Sequence, residues 1–584
     1  MENQKYYTNE RNIQIIISVL KANGIRKIVA SPGTTNYTFV ASVQQDSFFE
    51  IYSSVDERSA AYLACGLAAE TGEAVVLTCT GATASRNYYS GLTEAFYRKL
   101  PILALTAHQG NDRIGHLIPQ NIDRRALPND IVKLSVEAPT ITCAKDERYV
   151  EVEVNKAVLE LKRHGGGPVH INAYTTYSRD FSVVELPACR IMRRYTVFDA
   201  MPAIPQGRTG VFVGSHRKFT QKESQALDAF CATYDAAVFC DHTSGYHGRY
   251  RVDMSFAFVQ NELDKNFAEL DLLIHIGEVS GEYSFIAKAT EVWRVNPDGE
   301  IRDTFQKLTN VFEMEEFCFF EYYSEENADL HTYVDALHAI DSKARESIPE
   351  LPFGNIWVAQ QMSSMLPKNS VLHLGILNSL RSWNFFQIPE HVEGYCNVGG
   401  FGIDGIVSSL VGASLACKEK LYFGVVGDLA FFYDLNVLGN RHLGNNIRIL
   451  LINNGCGTEF RNYTHPCSAF GNDANAYMAA AGHYGNKSPL VVKNFVESLG
   501  FDYLKASTKE EFMQVVSQFV NPELSKNPII LEVFTNPEDE SNALYMLNNS
   551  VQDKSLVMKK KIGNFIYNVF GQKGVSVVKK LLRK

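Results

Sequence analysis

The 584-residue chain carries 56 Lys and Arg against 65 Asp and Glu, a formal net charge of −9. Charged residues make up 21% and hydrophobic residues 45%, an ordinary globular composition that excludes a collagen, a disordered protein or a solenoid. The acidic balance argues against a nucleic-acid partner. No apolar run reaches the ~20 residues of a membrane span, and the polar start is not that of a signal peptide. The 11 cysteines form no CxxC pair, so we expect a cytoplasmic protein body with reduced thiols.

Residues 1–183 alternate helix-like and strand-like patterns. A helix is predicted for NIQIIISVLKANG, and strands for KIVA, EIYSS, AVVLTCT, ILALTAH and VHINA, with the small-residue helix SAAYLACGLAAETG between two of them. Strands that alternate with helices predict a parallel α/β sheet.

Residues 184–350 repeat the α/β pattern with different residues. Short buried strands are predicted at TGVFV, AAVFC, DLLIHI and EVWRVN, each followed by turn residues. The strand ends Gly214-Ser215 and Gly277-Glu278 would suit a nucleotide, but no GxGxxG accompanies them. We interpret this segment as a structural domain.

Residues 351–548 return to the layout of the first segment, with strands at SVLHLG, EGYCN, LYFGVV and IRILLIN. The fold class predicted for the chain is therefore α/β, with three Rossmann-like, doubly wound parallel-sheet domains.

Two successive strands of the third segment end in oxygen ligands. Asp428 follows LYFGVVG, and Asn454 follows IRILLIN. Each alone is typical of a turn or a helix cap. In an open parallel sheet, however, the carboxyl ends of the strands lie along one edge, so the two side chains could converge on one ion. A carboxylate, an amide oxygen and a carbonyl suit Mg²⁺, which keeps other positions for water and phosphate. The sequence thus predicts a diphosphate anchor.

Gly427-Asp428, followed 26 residues later by the second Asn of an Asn-Asn pair, resembles the cofactor signature of thiamine-diphosphate-dependent enzymes. The resemblance implies that Asp428, Asn454 and the carbonyl of Cys456 hold Mg²⁺ on the diphosphate, with Gly427 and Leu429 beside the cofactor. It also implies three domains: a pyrimidine-binding domain (1–183), a central domain (184–350) and a diphosphate-binding domain (351–548).

Within that family the segment GDLAFFYDLNVLG, preceded by GIDG, is most similar to the SEPHCHC synthases of the menaquinone pathway, which join 2-oxoglutarate to isochorismate. The implied activity is decarboxylation of a 2-oxo acid and ligation of the acyl group to an acceptor, a transferase or lyase reaction. Gly402 and Ile403 resemble the cofactor-binding turn, in which the bulky residue bends the cofactor. The alternative for Ile403 is core packing.

Glu57 is the candidate partner of the cofactor's pyrimidine ring. It follows a strand and opens a helix, where a carboxylate could instead complement the helix dipole. Thr80 and Gly81 resemble a second cofactor loop, or form an ordinary strand-to-helix turn. Because Glu57 and Asp428 are far apart in sequence and in the family come from different subunits, the resemblance implies a homodimer or homotetramer.

The substrate positions depart from the SEPHCHC synthases. Where that family has a Ser-Pro-Gly-Ser-Arg loop, this chain has Thr35 and Asn36, and Val398 stands where another arginine precedes the glycines. Arg381 matches a third carboxylate-binding arginine in one alignment, and Trp383 takes its place in another.

Two further residues are catalytic candidates. Gln120 resembles a glutamine of the family's site, and His108, at the end of a strand, is a candidate for proton transfer. The alternative for His108 is a bond to the backbone.

Three functions remain open from the sequence. The first is a thiamine-diphosphate- and magnesium-dependent carboligase acting on a small 2-oxo acid and an acceptor. The second is an authentic SEPHCHC synthase, and the third is a non-catalytic scaffold with the same fold.

Residues 549–584 form a basic amphipathic tail. From Lys554 to the end there are nine Lys or Arg and no acidic residue. Apolar residues recur at helical spacing, which is typical of a helix on a membrane surface. The alternatives are packing against the acidic body or another subunit. The apolar positions of the first part are Ile562, Phe565, Ile566, Val569 and Phe570.

Overall fold

The computed structural model describes residues 6–282, 288–483 and 488–551. Two compact units are formed: the first comprises Met1–Met201 and Asp298–Glu313, and the second comprises Pro202–Pro297 and Met314–Lys584. All strand pairings given below are parallel.

The first unit contains a six-stranded sheet in the order β2-β1-β3-β4-β6-β5. Its strands are β1 Lys27–Ala30, β2 Glu50–Ser53, β3 Val75–Thr80, β4 Ile102–His108, β5 Leu134–Ala138 and β6 Val169–Tyr174. Its helices are α1 Arg11–Ala22, α2 Tyr37–Val43, α3 Glu57–Thr71, α4 Thr83–Asn87, α5 Tyr89–Tyr97 and α6 Ala144–Glu160. Two further strands that pair with each other, β7 Arg193–Thr196 and β13 Leu308–Glu313, also belong to this unit.

Alternate residues of the first sheet face opposite sides, and each side is covered by helices. On β3, Val76 packs into the core formed with α1 and α6. Its neighbours Val75 and Leu77 pack into the other core, formed with α3 and α5. Strands buried on both faces read as near-continuous apolar runs, which is why the sequence pattern predicts them.

The second unit begins with five strands in the order β10-β9-β8-β11-β12. They are β8 Thr209–Val213, β9 Ala237–Phe239, β10 Arg251–Val252, β11 Leu270–Ile276 and β12 Ala289–Asn296. The helices of this part are α7 Gln221–Tyr234, α8 Ser255–Val259, α9 Glu316–Tyr323 and α10 Thr332–Arg345.

The second unit also contains a six-stranded sheet in the order β15-β14-β16-β17-β19-β18. Its strands are β14 Val371–Leu374, β15 Glu393–Cys396, β16 Tyr422–Gly427, β17 Ile447–Asn453, β18 Asp502–Ala506 and β19 Ile529–Phe534. Its helices are α11 Asn355–Met362, α12 Asn378–Asn384, α13 Ile406–Ser414, α14 Asp428–Tyr433, α15 Val491–Ser498, α16 Lys509–Phe519 and α17 Pro537–Asn548.

This last sheet is again covered on both faces. On β17, Leu450 and Ile452 pack with α11, α16 and α17. Ile449 and Leu451 pack with α13, α14 and α15. The predicted α/β class with three doubly wound parallel sheets is confirmed, whereas the predicted domain boundaries stay a prediction.

The predicted tail lies almost wholly outside the described residues, which end at Val551. Among the residues that are described, no helix combines the length and the apolar character needed to cross a membrane.

Candidate active site

The carboxyl ends of β16 and β17 meet at a buried carboxylate. Asp428 opens α14 directly after β16 and is 4% exposed. Its carboxylate accepts hydrogen bonds from the backbone N–H of Leu429 and of Gly455, each at 2.9 Å. Gly455, with φ 81°, occupies a left-handed conformation that glycine adopts without strain. Because Gly455 follows Asn454, the second bond holds the two strand ends together.

A small cavity of about 120 Å³ lies at this edge of the sheet. Six residues predicted from the sequence line it, and Gly402 lies half-buried beside the first of them. The six are Ile403, Gly427, Asp428, Leu429, Asn454 and Cys456. These six residues, which are up to 53 positions apart in sequence, therefore line one cavity.

The donor set of this cavity fits a hard divalent cation. Burial raises the pKa of Asp428 to about 6, and the carboxylate is bonded to two backbone amides but to no cationic side chain of the described residues. A buried carboxylate in this state gains from a metal ion. Burial raises the pKa of the Cys456 thiol to about 12, so this residue offers its carbonyl rather than a thiolate.

Glu540 supports Asn454 and was not identified from the sequence. The carboxylate of Glu540, at the start of α17, accepts hydrogen bonds from the Asn355 N–H at 2.9 Å and from the Thr535 hydroxyl at 2.7 Å. Burial raises the pKa of Glu540 to about 7, although these two hydrogen bonds and the nearby Asn454 side chain act to lower it. In sequence, Glu540 is one of several acids that favour a helix N-terminus, so no sequence signal separates it from its neighbours.

Amide and hydroxyl groups continue this network towards α12. Asn454 donates to the Thr458 hydroxyl at 3.3 Å, and Asn378 donates to the same hydroxyl at 2.8 Å. Asn462 in turn donates to the Asn378 side-chain oxygen at 2.9 Å. The orientation of each amide is thus set by its neighbour.

The predicted substrate residue Arg381 is ion-paired. Its Nη1 donates to Oε1 of Glu459 at 2.6 Å. Trp383, which takes the place of Arg381 in the other alignment, is fully buried. Val398 is 5% exposed and belongs to the same core.

In the first unit, Glu57 lies at the first turn of α3 and is half-buried. Asp56 caps the helix by accepting a hydrogen bond from the Ser59 N–H at 2.7 Å. With the capping role filled by Asp56, Glu57 makes no hydrogen bond or ion pair to another of the residues that the structure describes. Its carboxylate is available to a ligand.

Thr35 connects three strand ends of the first sheet. Its hydroxyl is hydrogen-bonded to that of Thr80 and donates to the Ala107 carbonyl at 2.7 Å, while the Gly81 N–H donates to it at 3.3 Å. Asn36 donates to the Ser31 carbonyl at 3.1 Å. Both Thr35 and Asn36 are 2% exposed, so their polar groups act inside the protein and their predicted contact with substrate stays a prediction.

Gly81 is closely surrounded. A Cβ at this position would lie 3.1 Å from the Ala107 carbonyl and 3.4 Å from that of Gln120. Gln120 itself is exposed, with φ 66°. The structure thus brings Thr35, Thr80, Gly81 and the Gln120 backbone together.

His108 is 2% exposed and belongs to a buried polar cluster. Nε2 of His108 lies 2.8 Å from the Asn172 amide nitrogen, which also donates to Glu137 at 3.0 Å, and Arg124 donates to the Asn172 oxygen at 2.7 Å. Burial acts to raise the pKa of Glu137, but the His108 ring, whose Nε2 lies 3.8 Å from the carboxylate, and the hydrogen bond from Asn172 outweigh it and leave that pKa below its usual value. Sequence reasoning missed three members of this cluster, although the alternation of His170 and Asn172 in β6 signals a polar sheet face.

The glycines that follow β8 and β11, which were considered for nucleotide binding, have no free space beside them for a ligand. A Cβ on Gly214 would lie 2.0 Å from the Glu278 carbonyl, and one on Gly277 would lie 3.1 Å from the Gly214 nitrogen. These strand ends pack directly on each other, in agreement with a structural role.

Comparison with known proteins gives one family match and several relatives. The family model "Thiamine pyrophosphate enzyme, N-terminal TPP binding domain" matches residues 12–127. The chain is 30% identical over 562 residues to the 2-succinyl-5-enolpyruvyl-6-hydroxy-3-cyclohexene-1-carboxylate (SEPHCHC) synthase of Bacteroides fragilis, covering 92% of this chain and 98% of that protein. The enzyme of the same name from Phocaeicola vulgatus is 30% identical over 566 residues, covering 94% and 100%. That from Flavobacterium johnsoniae is 28% identical over 547 residues, covering 89% and 95%.

Proposed function

The chain belongs to the thiamine-diphosphate-dependent enzymes, in the group that includes SEPHCHC synthase, and from that premise we propose that it decarboxylates a 2-oxo acid and ligates the acyl group to an acceptor. The observation that carries the proposal is the buried Asp428 carboxylate, bonded to the Gly455 N–H at 2.9 Å beside Asn454. It supports a metal-diphosphate anchor at the edge of the sheet.

Asp428, Asn454 and the Cys456 carbonyl would hold Mg²⁺, and through it the diphosphate. Bound thiamine diphosphate supplies an electron sink for the pair released with carbon dioxide. Ile403 shields the cavity from water, and the Asp428 contact to Gly455 keeps the metal ligands in place before the cofactor arrives.

Glu57 would hold and exchange a proton with the pyrimidine ring of the cofactor. Its lack of a protein partner among the described residues supports this role, since a carboxylate already paired would be less able to accept or give a proton. Gln120 and His108 stay predictions as catalytic residues.

Replacing Glu57 by Gln tests the mechanism. Carbon dioxide release should fall at least about 100-fold, which is the low end of the effect of a general acid or base. Thiamine diphosphate should still bind in calorimetry. The matched control is Glu50→Gln, a neighbouring exposed glutamate of β2, which should retain full activity.

Full carbon dioxide release by the Glu57→Gln enzyme would reject the mechanism. Wild-type protein that fails to bind thiamine diphosphate in the presence of Mg²⁺ would instead favour a non-catalytic scaffold.

We also propose that at least two copies associate to complete the site. The support is a set of exposed apolar side chains around the Glu57 turn, which single soluble domains seldom leave uncovered. Their exposed fractions are 40% for Tyr52, 81% for Val55, 48% for Tyr62 and 43% for Leu63. Light scattering at micromolar concentration should give a dimer or tetramer, and a monomer with full activity would exclude this proposal.

A second candidate is SEPHCHC synthesis itself, supported by relatives of that name that align with about nine-tenths of the chain. Incubation with 2-oxoglutarate and isochorismate distinguishes the candidates. Efficient product formation would favour SEPHCHC synthesis over a different acceptor.

A further inference from the structure

A second cavity in the same unit adjoins the metal-binding edge. It measures about 500 Å³ and shares Asn378 with the lining of the cavity that contains Asp428. Asn378 opens α12, and Arg381 of the same helix also lines the larger cavity. A molecule in the larger cavity would therefore lie next to the proposed cofactor site.

The basic side chain that lines this cavity is already paired with a carboxylate of the protein. Arg381 is the sole Lys or Arg among the described residues that line it, and it is paired with Glu459 at 2.6 Å. The other charged lining residues are the acids Glu282 and Glu540. An acceptor with one or more carboxylates would have to displace Glu459 from Arg381 and approach two further carboxyl groups.

Neutral hydrogen-bonding groups make up the remaining polar lining. Asn462, Asn548, Ser382 and Thr464 contribute amides and hydroxyls. Such groups recognise hydroxyl and carbonyl oxygens without requiring charge.

Building on the function proposed above, we propose that this cavity binds an uncharged, hydroxyl-bearing aldehyde as the acyl acceptor, and that Glu459 sets this specificity by neutralising Arg381. In the net reaction the bond between C1 and C2 of the 2-oxo acid breaks and carbon dioxide leaves. The electron pair left on C2 forms a carbon–carbon bond to the aldehyde carbon, and the aldehyde oxygen takes up one proton. No external oxidant or reductant is needed.

Two aldehydes of nearly equal size provide the test: glycolaldehyde, which carries a hydroxyl, and glyoxylate, which carries a carboxylate. The holoenzyme is first screened with pyruvate and 2-oxoglutarate for carbon dioxide release, and the accepted donor is then kept saturating. We expect the acceptor kcat/KM to favour glycolaldehyde by about tenfold or more, the size of effect given by one unfavourable charge contact.

Glu459→Gln should raise kcat/KM for glyoxylate about tenfold through a lower acceptor KM, because it frees Arg381. Adding Arg381→Gln to this variant should cancel the gain. Wild-type preference for glyoxylate, or an unchanged ratio in the Glu459→Gln enzyme, would overturn the inference.

A binding measurement separates this inference from the proposed function. Saturation-transfer NMR with erythritol and succinate needs no turnover, so it measures ligand binding even when neither 2-oxo acid releases carbon dioxide. Erythritol should bind to the wild-type protein, and succinate should bind only after Glu459→Gln. Succinate binding to the wild-type protein with no erythritol signal would reject the uncharged-acceptor assignment.

Discussion

The first sheet and the last sheet have the same strand order, 2-1-3-4-6-5 when each is numbered from its own first strand. At equivalent places, however, they carry different residues. The third strand of the last sheet, β16, is followed by Asp428, whereas the third strand of the first sheet, β3, is followed by Gly81. The shared topology sets where ligand-binding loops lie, and the residues of those loops decide what binds there.

The two sheets also share a buried polar cross-link with different chemistry. The last residue of β4, His108, is bonded by Asn172 of β6. In the equivalent strands of the last sheet, Asn453 ends β17 and donates to Glu532 of β19 at 2.7 Å. One position thus tolerates an imidazole–amide pair or an amide–carboxylate pair, provided that every buried group finds a partner.

The largest expected effect comes from removing the Asp428 carboxylate, which follows the third strand of the last sheet and has no counterpart after the third strand of the first sheet. Asp428→Asn should weaken binding of thiamine diphosphate in Mg²⁺ by more than about 100-fold, beyond the range seen for residues that only support a metal ligand. Calorimetry measures it, and the exposed Asp473→Asn serves as control. Unchanged affinity would show that Asp428 is a structural residue.

A smaller effect is expected from replacing Glu540, the carboxylate that we expect to orient Asn454. Glu540→Gln should weaken Mg²⁺ affinity about 10-fold, because a neutral amide fixes the Asn454 amide less firmly than a carboxylate does. The matched control is Glu538→Gln on the same helix, whose carboxylate is 65% exposed. Equal Mg²⁺ affinities for the two variants would remove Glu540 from the site.

Glu137, which is bonded by Asn172 beside the first cross-link, and Glu532, which belongs to the second, should respond to pH in opposite ways. Hydrogen bonds hold the pKa of Glu137 below its usual value despite burial, whereas burial raises that of Glu532. Glu137 therefore stabilises the folded state at every pH above its unfolded pKa, and this stability is lost only on further acidification. Glu532 contributes most to the stability of the folded state while its carboxyl group is protonated, and this contribution declines as pH rises through its folded pKa.

Urea unfolding at pH 5.5 and pH 8 tests this contrast. Glu137→Gln should cost about 1–3 kcal/mol at both pH values, because a hydrogen-bonded charge is lost. Glu532→Gln should become more stable relative to wild type as pH rises from 5.5 to 8. Parallel behaviour of the two variants would refute the opposite pKa directions.

The smallest effect on activity is expected at the end of the chain that follows the last sheet. A chain truncated after Asp553 should keep its activity within about twofold but lose co-sedimentation with anionic vesicles at low salt, because each lysine near such a surface contributes about 1 kcal/mol. Equal sedimentation would discard the membrane role of the tail. Loss of activity or of the oligomer on truncation would indicate instead that the tail packs on the protein.

The sequence by itself predicted the α/β class and the convergence of Asp428 with the Asn454 loop. Both rest on local signals, since strands buried on two faces are continuously apolar and strand ends carry the ligands. It did not identify β5 and β18, at LSVEA and DYLKA, in which only two residues and one residue, respectively, are buried. Neither segment therefore shows the apolar run by which the inner strands are predicted.

Tertiary structure alone decided which distant groups meet the site. Glu540 meets the Asn355 N–H because α17 packs on α11, and Glu459 neutralises an arginine 78 positions away in sequence. Neither residue differs locally from an ordinary surface acid. Hydrogen bonds and ion pairs act over about 3 Å, so only the folded chain determines which polar groups come within that distance.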